Sequence, residues 1–204
     1  MDHNGIVKNA ETHVRELYQT HFKPEFVYHN LDHVQSVVKA AGQVAGHYQL
    51  EGEDKAAVLI ASWFHDTGYL FNSNDHEERS AELAVSFLKQ EKAEESLITK
   101  VKECILATKI FKKSPSLIAK IVSDADLFHL GTSEFWKSNK RMREEMNRRF
   151  GKDISAEKWQ RGTLSLLKRH RFETDFCKNR LREGKKENIT QLQEWLEVEK
   201  RKRT

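Results

Sequence analysis

Proline is nearly missing from this 204-residue chain: there are two, with nine glycines, and no segment rich in either interrupts it. A sheet protein needs frequent turn residues between β-branched runs. Their scarcity, beside abundant Ala, Leu, Glu, Lys and Arg, predicts an all-α fold, a single-domain helical bundle over residues 1–204. With only Cys104 and Cys177, far apart in expected helices, neither a disulfide framework nor a cysteine zinc motif is expected, and a reducing compartment fits. The longest apolar run, Ala56–Phe64, has nine residues, where a membrane span takes about twenty. The opening MDHNGIVKNAETHV has no basic stretch leading into an apolar block. A cytoplasmic chain with no membrane partner is the expectation.

Charge is unevenly spread. Residues 1–136 carry fourteen Lys and Arg against twenty Asp and Glu, a balance of −6, while residues 137–204 carry twenty-one against eleven, a balance of +10. The basic part is read as a solvated helical face or as an attractor of anionic substrates. It lacks a helix-turn-helix, a zinc finger or an aromatic β platform, so a nucleic-acid partner is not expected. Trp136, Trp159 and Trp195 are read as helix-packing residues.

Apolar periodicity marks out the helices. Ile6, Ala10, Val14, Leu17 and His21–Phe22 predict an opening helix ended by Pro24. A second begins near YHNLDHV, with Leu31, Val34, Val38, Ala41 and Ala45 as its apolar face. A buried helix over 54–65 comes after EGED, with Gly68 as its stop. After a loop TGYLFNSN, Asp75 is expected to cap HEERSAELAVSFLKQ, which is acidic first and basic last as the helix dipole prefers. Further helices are expected over about 95–108, 116–130, 133–150, 156–170 and 174–203, with Gly184 a candidate interruption of the last and the final EKRKRT a frayed tail.

Three segments place His or Asp inside or at the end of otherwise apolar helices: YHNLDHV (His29, His33), FHDTG (His65, Asp66) and SDADL (Asp124, Asp126). Burying such groups without a partner is costly. Three helices each spending one on the core side point to a shared partner, and imidazole nitrogens mixed with carboxylate oxygens suit a divalent ion such as Mn, Fe, Co, Ni or Zn. Adjacent residues on a helix point about 100° apart. His65 and Asp66 can therefore share an ion only at the helix terminus, which is where the doublet lies.

The order His, then His-Asp, then a late Asp in SDADL resembles the HD-domain superfamily of metal-dependent phosphohydrolases. YHNLDHV, FHDTGYL, HEERSAELA, ILATKI, SDADLFHLG and KRHRFETDFCKNRL together resemble a bacterial group of predicted HD phosphohydrolases, from about Tyr28 to about Arg182. The resemblance implies an HD core over about 28–130, followed by C-terminal helices over about 131–203. It implies metal ligands His33, His65, Asp66 and Asp126, with Asp124 a supporting or helix-internal polar residue. It also implies a divalent cofactor, Mg being a further candidate, with water and a phosphate oxygen completing the coordination.

His76 lies at an expected helix start where some enzymes of this superfamily bind a second metal. The further His that such enzymes use is replaced by Ala107, Thr108 and Lys109, so one ion per chain is expected. His76 is instead a candidate for contacting substrate phosphate or for acting as general acid, with Glu77 orienting it. Asp66, or an acidic neighbour, is the candidate to accept the proton of the attacking water. Lys109 is a candidate phosphate contact and electrostatic catalyst, and Arg79, Arg141, His170 and Arg171 are further candidate phosphate contacts. The Glu-Asp pair of enzymes that hydrolyse guanosine polyphosphates is absent after Asp66, and so is the Glu of the deoxynucleoside monophosphatase branch. The expected partner is a small phosphorylated substrate, a nucleotide first among the candidates, and a homo-oligomer is left open. The alternative is a metal-containing nucleotide sensor or interaction module without turnover.

Overall fold

Nine α-helices, with two short 3-10 turns between them, make up the described residues of the computed structural model, 2–21, 23–71 and 75–202. No strand occurs among them, so the fold is all-α as expected. Helix α1 (His3–Thr20) starts where the Asp2 carboxylate accepts from the Gly5 N–H. It ends before Pro24, and it buries Tyr18 in preference to Leu17. Phe22, expected on its apolar stripe, lies outside the described residues. Helix α2 (Leu31–His47) is capped by Asn30, whose side chain accepts from the His33 N–H, and its buried face runs through Val34, Val37, Ala40, Ala41, Val44 and Ala45. That stripe is broader than the one read from the sequence and takes Val37 in place of Val38.

Contacts cluster into two units, Met1–Lys23 with His29–Leu127, and Pro24–Tyr28 with Phe128–Thr204. In the first, α3 (Gly52–Phe64) is the central element. It packs against α1, α2, α4 (His76–Gln90), α5 (Glu95–Leu106) and α6 (Leu117–Asp126), and Ala56, Ala57, Val58, Ile60, Ala61, Ser62, Trp63 and Phe64 are all buried. A helix apolar on every side has to run through the core, so the residues just beyond its end emerge in the interior rather than in solvent.

Beyond α3 the chain forms a 3-10 turn, Thr67–Phe71, where the sequence suggested a plain loop; Asn72 to Asn74, also in that expected loop, lie outside the described residues. Thr67 Oγ1 donates to the Phe64 carbonyl at 2.8 Å, satisfying one of the acceptors a helix end leaves free. Gly68 does not act as a left-handed stop. Its need for glycine is steric, because a Cβ there would lie 2.1 Å from the His76 carbonyl oxygen. Asp75 precedes α4 at the cap position, but its side chain makes no capping hydrogen bond.

The expected helix over 116–130 is two elements, α6 and a 3-10 turn, Phe128–Gly131. In the second unit, α7 (Phe135–Phe150), α8 (Ala156–Arg169) and α9 (Asp175–Arg201) complete the chain. Gly184 does not interrupt α9. A Cβ on it would meet the Gly131 carbonyl at 2.2 Å, so the glycine lets α9 cross the 3-10 turn at close range. Trp136 and Trp159 pack within this unit, their indole N–H groups donating to Gln191 and Asn139. Both cysteines are buried free thiols. No helix among the described residues is long and apolar enough to cross a membrane. Arg203 and Thr204, from the expected frayed tail, lie outside the described residues.

Candidate metal centre

The burial of α3 delivers His65 and Asp66 to the interior of the first unit, where they meet the start of α2 and the end of α6. His33 Nε2 lies 3.3 Å from Asp66 Oδ2 and 3.1 Å from Asp126 Oδ1. His65 Nε2 lies 3.2 Å from Asp66 Oδ2, 3.5 Å from Asp126 Oδ1 and 3.4 Å from His33 Nε2. His65 is fully buried, and its Nδ1 lies 2.9 Å from the Ser62 carbonyl. A carbonyl only accepts, so in the neutral ring Nδ1 carries the proton and the Nε2 lone pair faces the cluster.

Whether these four atoms fit a cation can be tested on Asp66. Its Oδ2 is sealed from solvent and receives no hydrogen bond, an expensive state for a carboxylate oxygen. Adjacent ligands on an ion with bonds of about 2.1 Å lie roughly 3 Å apart, close to the 3.1–3.5 Å separations found here. The atoms of His33, His65 and Asp66 all lie within 4.8 Å of one another, and Asp126 touches both imidazoles. The donor set therefore fits a divalent ion.

The electrostatics agree. Burial alone would lower the His33 and His65 pKa values, but the Asp66 and Asp126 carboxylates outweigh it, and both histidines are held above the ordinary value, His65 well above. Burial alone would raise Asp66 and Asp126; the imidazoles hold both below the usual carboxylate range. Each shift favours the charged form, the imidazoles and the carboxylates stabilising one another.

His76 opens α4 beside this cluster. Its Nε2 lies 3.9 Å from Asp66 Oδ1, the oxygen on the other side of the carboxylate, and its Nδ1 lies 3.3 Å from Glu77 Oε2. Burial lowers its pKa, although Asp66 and Glu77 pull the other way. The approach is made possible by Gly68, whose N–H also donates to Ser80 Oγ at 2.8 Å. On one face the His76 ring stacks on Tyr69, centroids 4.0 Å apart and planes 19° apart, and Tyr69 in turn lies against His29 at 4.2 Å. Sequence reading passes over Tyr69, because an aromatic next to an apolar run looks like core. The available signal was its place in the turn that links the doublet to His76.

The remaining candidates have other contacts. Lys109 Nζ donates to Glu78 on the first turn of α4, which raises the lysine and lowers the glutamate pKa. Arg79 pairs with Glu82 at 3.0 Å and lies over the Phe71 ring. Asp124 is buried in α6. Arg141 lies on α7 in the second unit. His170 and Arg171 also belong to that unit, where His170 closes α8, Lys185 Nζ donates to the His170 carbonyl, and Arg171 Nη1 donates to the carbonyls of Lys168 and His170.

Comparison with known proteins adds two findings. The profile of the HD domain family matches residues 30–131, the segment that holds His33, His65, Asp66 and Asp126. The fold resembles the crystal structure of a predicted HD superfamily hydrolase from an uncultured Thermotogales bacterium, with a TM-score of 0.63 and 18% identity, covering 94% of this chain and 91% of that one. No curated protein sequence matches.

Proposed function

The chain belongs to the HD domain family, and on that premise we propose that it is a metal-dependent phosphohydrolase cleaving a phosphoester of a small metabolite, with a nucleotide as the favoured substrate class. The observation that carries the reading is the set of five contacts of 3.1–3.5 Å joining His33, His65, Asp66 and Asp126 around an Asp66 oxygen that no hydrogen bond satisfies. His33 Nε2, His65 Nε2, Asp66 Oδ2 and Asp126 Oδ1 would hold one divalent ion of the Mn, Fe, Co, Ni, Zn or Mg class. Once bound, such an ion acidifies water and neutralises phosphate charge.

The chain's own groups do the rest. The bond from His65 Nδ1 to the Ser62 carbonyl places the proton of the neutral ring on Nδ1 and aims the other ring nitrogen inward. Asp66 Oδ1 faces away from the four-atom cluster and toward His76 Nε2. An oxygen that hydrogen-bonds to both would see them about 3.9 Å apart, so the two groups flank one oxygen of the reaction. Asp66 accepts a proton at that position, or His76 donates one to the leaving oxygen. Lys109, held by Glu78 two residues after His76, reaches a phosphate oxygen by exchanging that carboxylate for the substrate.

Elemental mass spectrometry of protein purified without chelator, with a panel of nucleotides, phosphomonoesters and phosphodiesters on the same sample, tests the proposal. The expected result is about one transition ion per chain and turnover that chelation abolishes. Bound metal with no turnover on any phosphoester would instead favour the nucleotide sensor. No metal after reconstitution would refute both readings.

A further inference from the structure

We infer that Tyr69 is the positioning residue of His76: its ring, packed against the imidazoles of both His29 and His76, sets the plane in which His76 Nε2 faces Asp66 Oδ1. The inference rests on the proposed hydrolase reading for its kinetic consequence, but its geometry stands apart from it. Tyr69 contacts both rings, with centroids 4.2 Å apart to His29 and 4.0 Å apart to His76, and interplanar angles of 33° and 19°. His76 belongs to the first turn of α4, His29 precedes α2, and Tyr69 sits on the 3-10 turn after the His65-Asp66 doublet. Tyr69 therefore links three chain segments beside the cluster.

An imidazole at a helix start would otherwise turn about two side-chain bonds. Glu77 fixes only one point of the ring, at Nδ1 and 3.3 Å. A group that must sit within a few tenths of an ångström of a reacting proton needs its plane held as well, and a 1 Å misplacement costs on the order of 10²-fold in rate. The near-parallel stack supplies that constraint. The backbone beneath it cannot drift, because Gly68 is packed on the His76 carbonyl and the Tyr69 N–H donates to the Asp66 carbonyl at 3.1 Å. The same turn thus presents the metal-side carboxylate and the ring that aims its partner.

The test compares Tyr69→Phe, Tyr69→Leu, His76→Gln and the double variant Tyr69→Leu/His76→Gln, each loaded with the native metal and assayed on bis(p-nitrophenyl) phosphate and p-nitrophenyl phosphate. Tyr69→Phe keeps the stack and is expected within about threefold of wild-type kcat. Tyr69→Leu should lose kcat by roughly 10- to 100-fold, with metal content and KM within twofold. The double variant should be no slower than His76→Gln alone, since a positioning residue has nothing left to position. Full kcat in Tyr69→Leu, or losses that multiply in the double variant, would overturn the inference. If Tyr69→Leu does not fold, His29→Leu, which removes the ring packed against Tyr69, replaces it with the same double-variant logic.

A readout independent of turnover separates this inference from the hydrolase reading. In the proton NMR spectrum of wild type and Tyr69→Phe, the His76 ring protons should be shifted upfield by the stacked ring, and in Tyr69→Leu they should return toward the free-histidine position. If wild type turns over no phosphoester yet shows these shifts, the positioning role stands while the hydrolase reading fails. If wild-type His76 shows no upfield shift, the positioning role fails whatever the activity.

Discussion

The carbonyl oxygen of His76 lies 2.1 Å from the point a Cβ on Gly68 would occupy, so the first residue of α4 is locked to the turn after the His65-Asp66 doublet. Gly68→Ala has to push these two backbones apart. Overpacking of this kind costs about 1–3 kcal/mol, and the displacement falls on His76 rather than on the four-atom cluster. The variant should bind metal stoichiometrically, lose kcat by roughly 10-fold or more, and unfold at lower urea. Metal loss in parallel with activity would show that Gly68 supports the cluster instead.

His33→Ala removes one of the four candidate ligands while leaving the rest of α2 intact. Elemental analysis should find well below one ion per chain after dialysis. Turnover should fall by about 10³-fold, since the charge stabilisation a metal supplies is worth several kcal/mol. Far-ultraviolet circular dichroism should remain helical, because the core stripe of α2 runs through Val34, Val37 and Ala41 rather than His33. The thermal stabilisation that added metal gives the wild type, about 2.7 kcal/mol at a hundred times the dissociation constant, should be absent from the variant.

The two raised imidazoles give metal-free and metal-loaded protein opposite responses to pH. In the metal-free protein Asp66 and Asp126 hold the His33 and His65 pKa values above the ordinary value. A raised histidine contributes stability that is complete below its unfolded value near 6.5 and lost as pH rises through the folded value. An ion needs both rings neutral, so metal binding releases protons and tightens as pH rises through the same range. The difference in melting temperature between loaded and chelated protein should therefore grow steadily from pH 5.5 to pH 8.5. A constant difference would mean that the histidines do not change protonation on binding.

The segments that meet at the candidate cluster were legible in the chain through cost, while the choice of Asp126 over Asp124 came from the family resemblance. A His-Asp doublet closing an apolar helix, a His near the start of another and an Asp near the end of a third are expensive placements that only a shared partner justifies. The surroundings of the cluster were harder to read. Gly68 looked like a helix stop because local φ preference is what sequence reports; its actual constraint is the His76 carbonyl, a contact made in three dimensions. Gly184 was misread for the same reason, its neighbour being the Gly131 carbonyl on another element. The Asp75 cap failed because the residue type favours a cap without guaranteeing its geometry. The expected helix over 116–130 runs past the end of α6 because Leu127 to Leu130 keeps an apolar pattern that a 3-10 turn carries as well as an α-helix.

Lys185 lies 9% exposed on α9, donating to the His170 carbonyl at 2.6 Å, with His170 Nδ1 at 3.1 Å and the Phe172 ring at 5.6 Å. Burial, and then the Arg171 guanidinium, lowers its pKa to about 8 from 10.5. For a base this is a penalty. Below pH 8 the folded chain holds a buried ammonium it would rather not carry, while between pH 8 and 10.5 the unfolded chain keeps a proton that the folded chain has released. Stability rises wherever the unfolded state binds more protons, so this lysine makes the second unit more stable as pH climbs through that window, by about 1–3 kcal/mol. Lys185→Met removes the titration and keeps the stem. Urea unfolding of both proteins at pH 7, 8.5 and 10 isolates the effect from the other groups that titrate there. The wild type should gain on the variant at each step, and a gap that does not change with pH would mean that the amine is solvated in the folded chain.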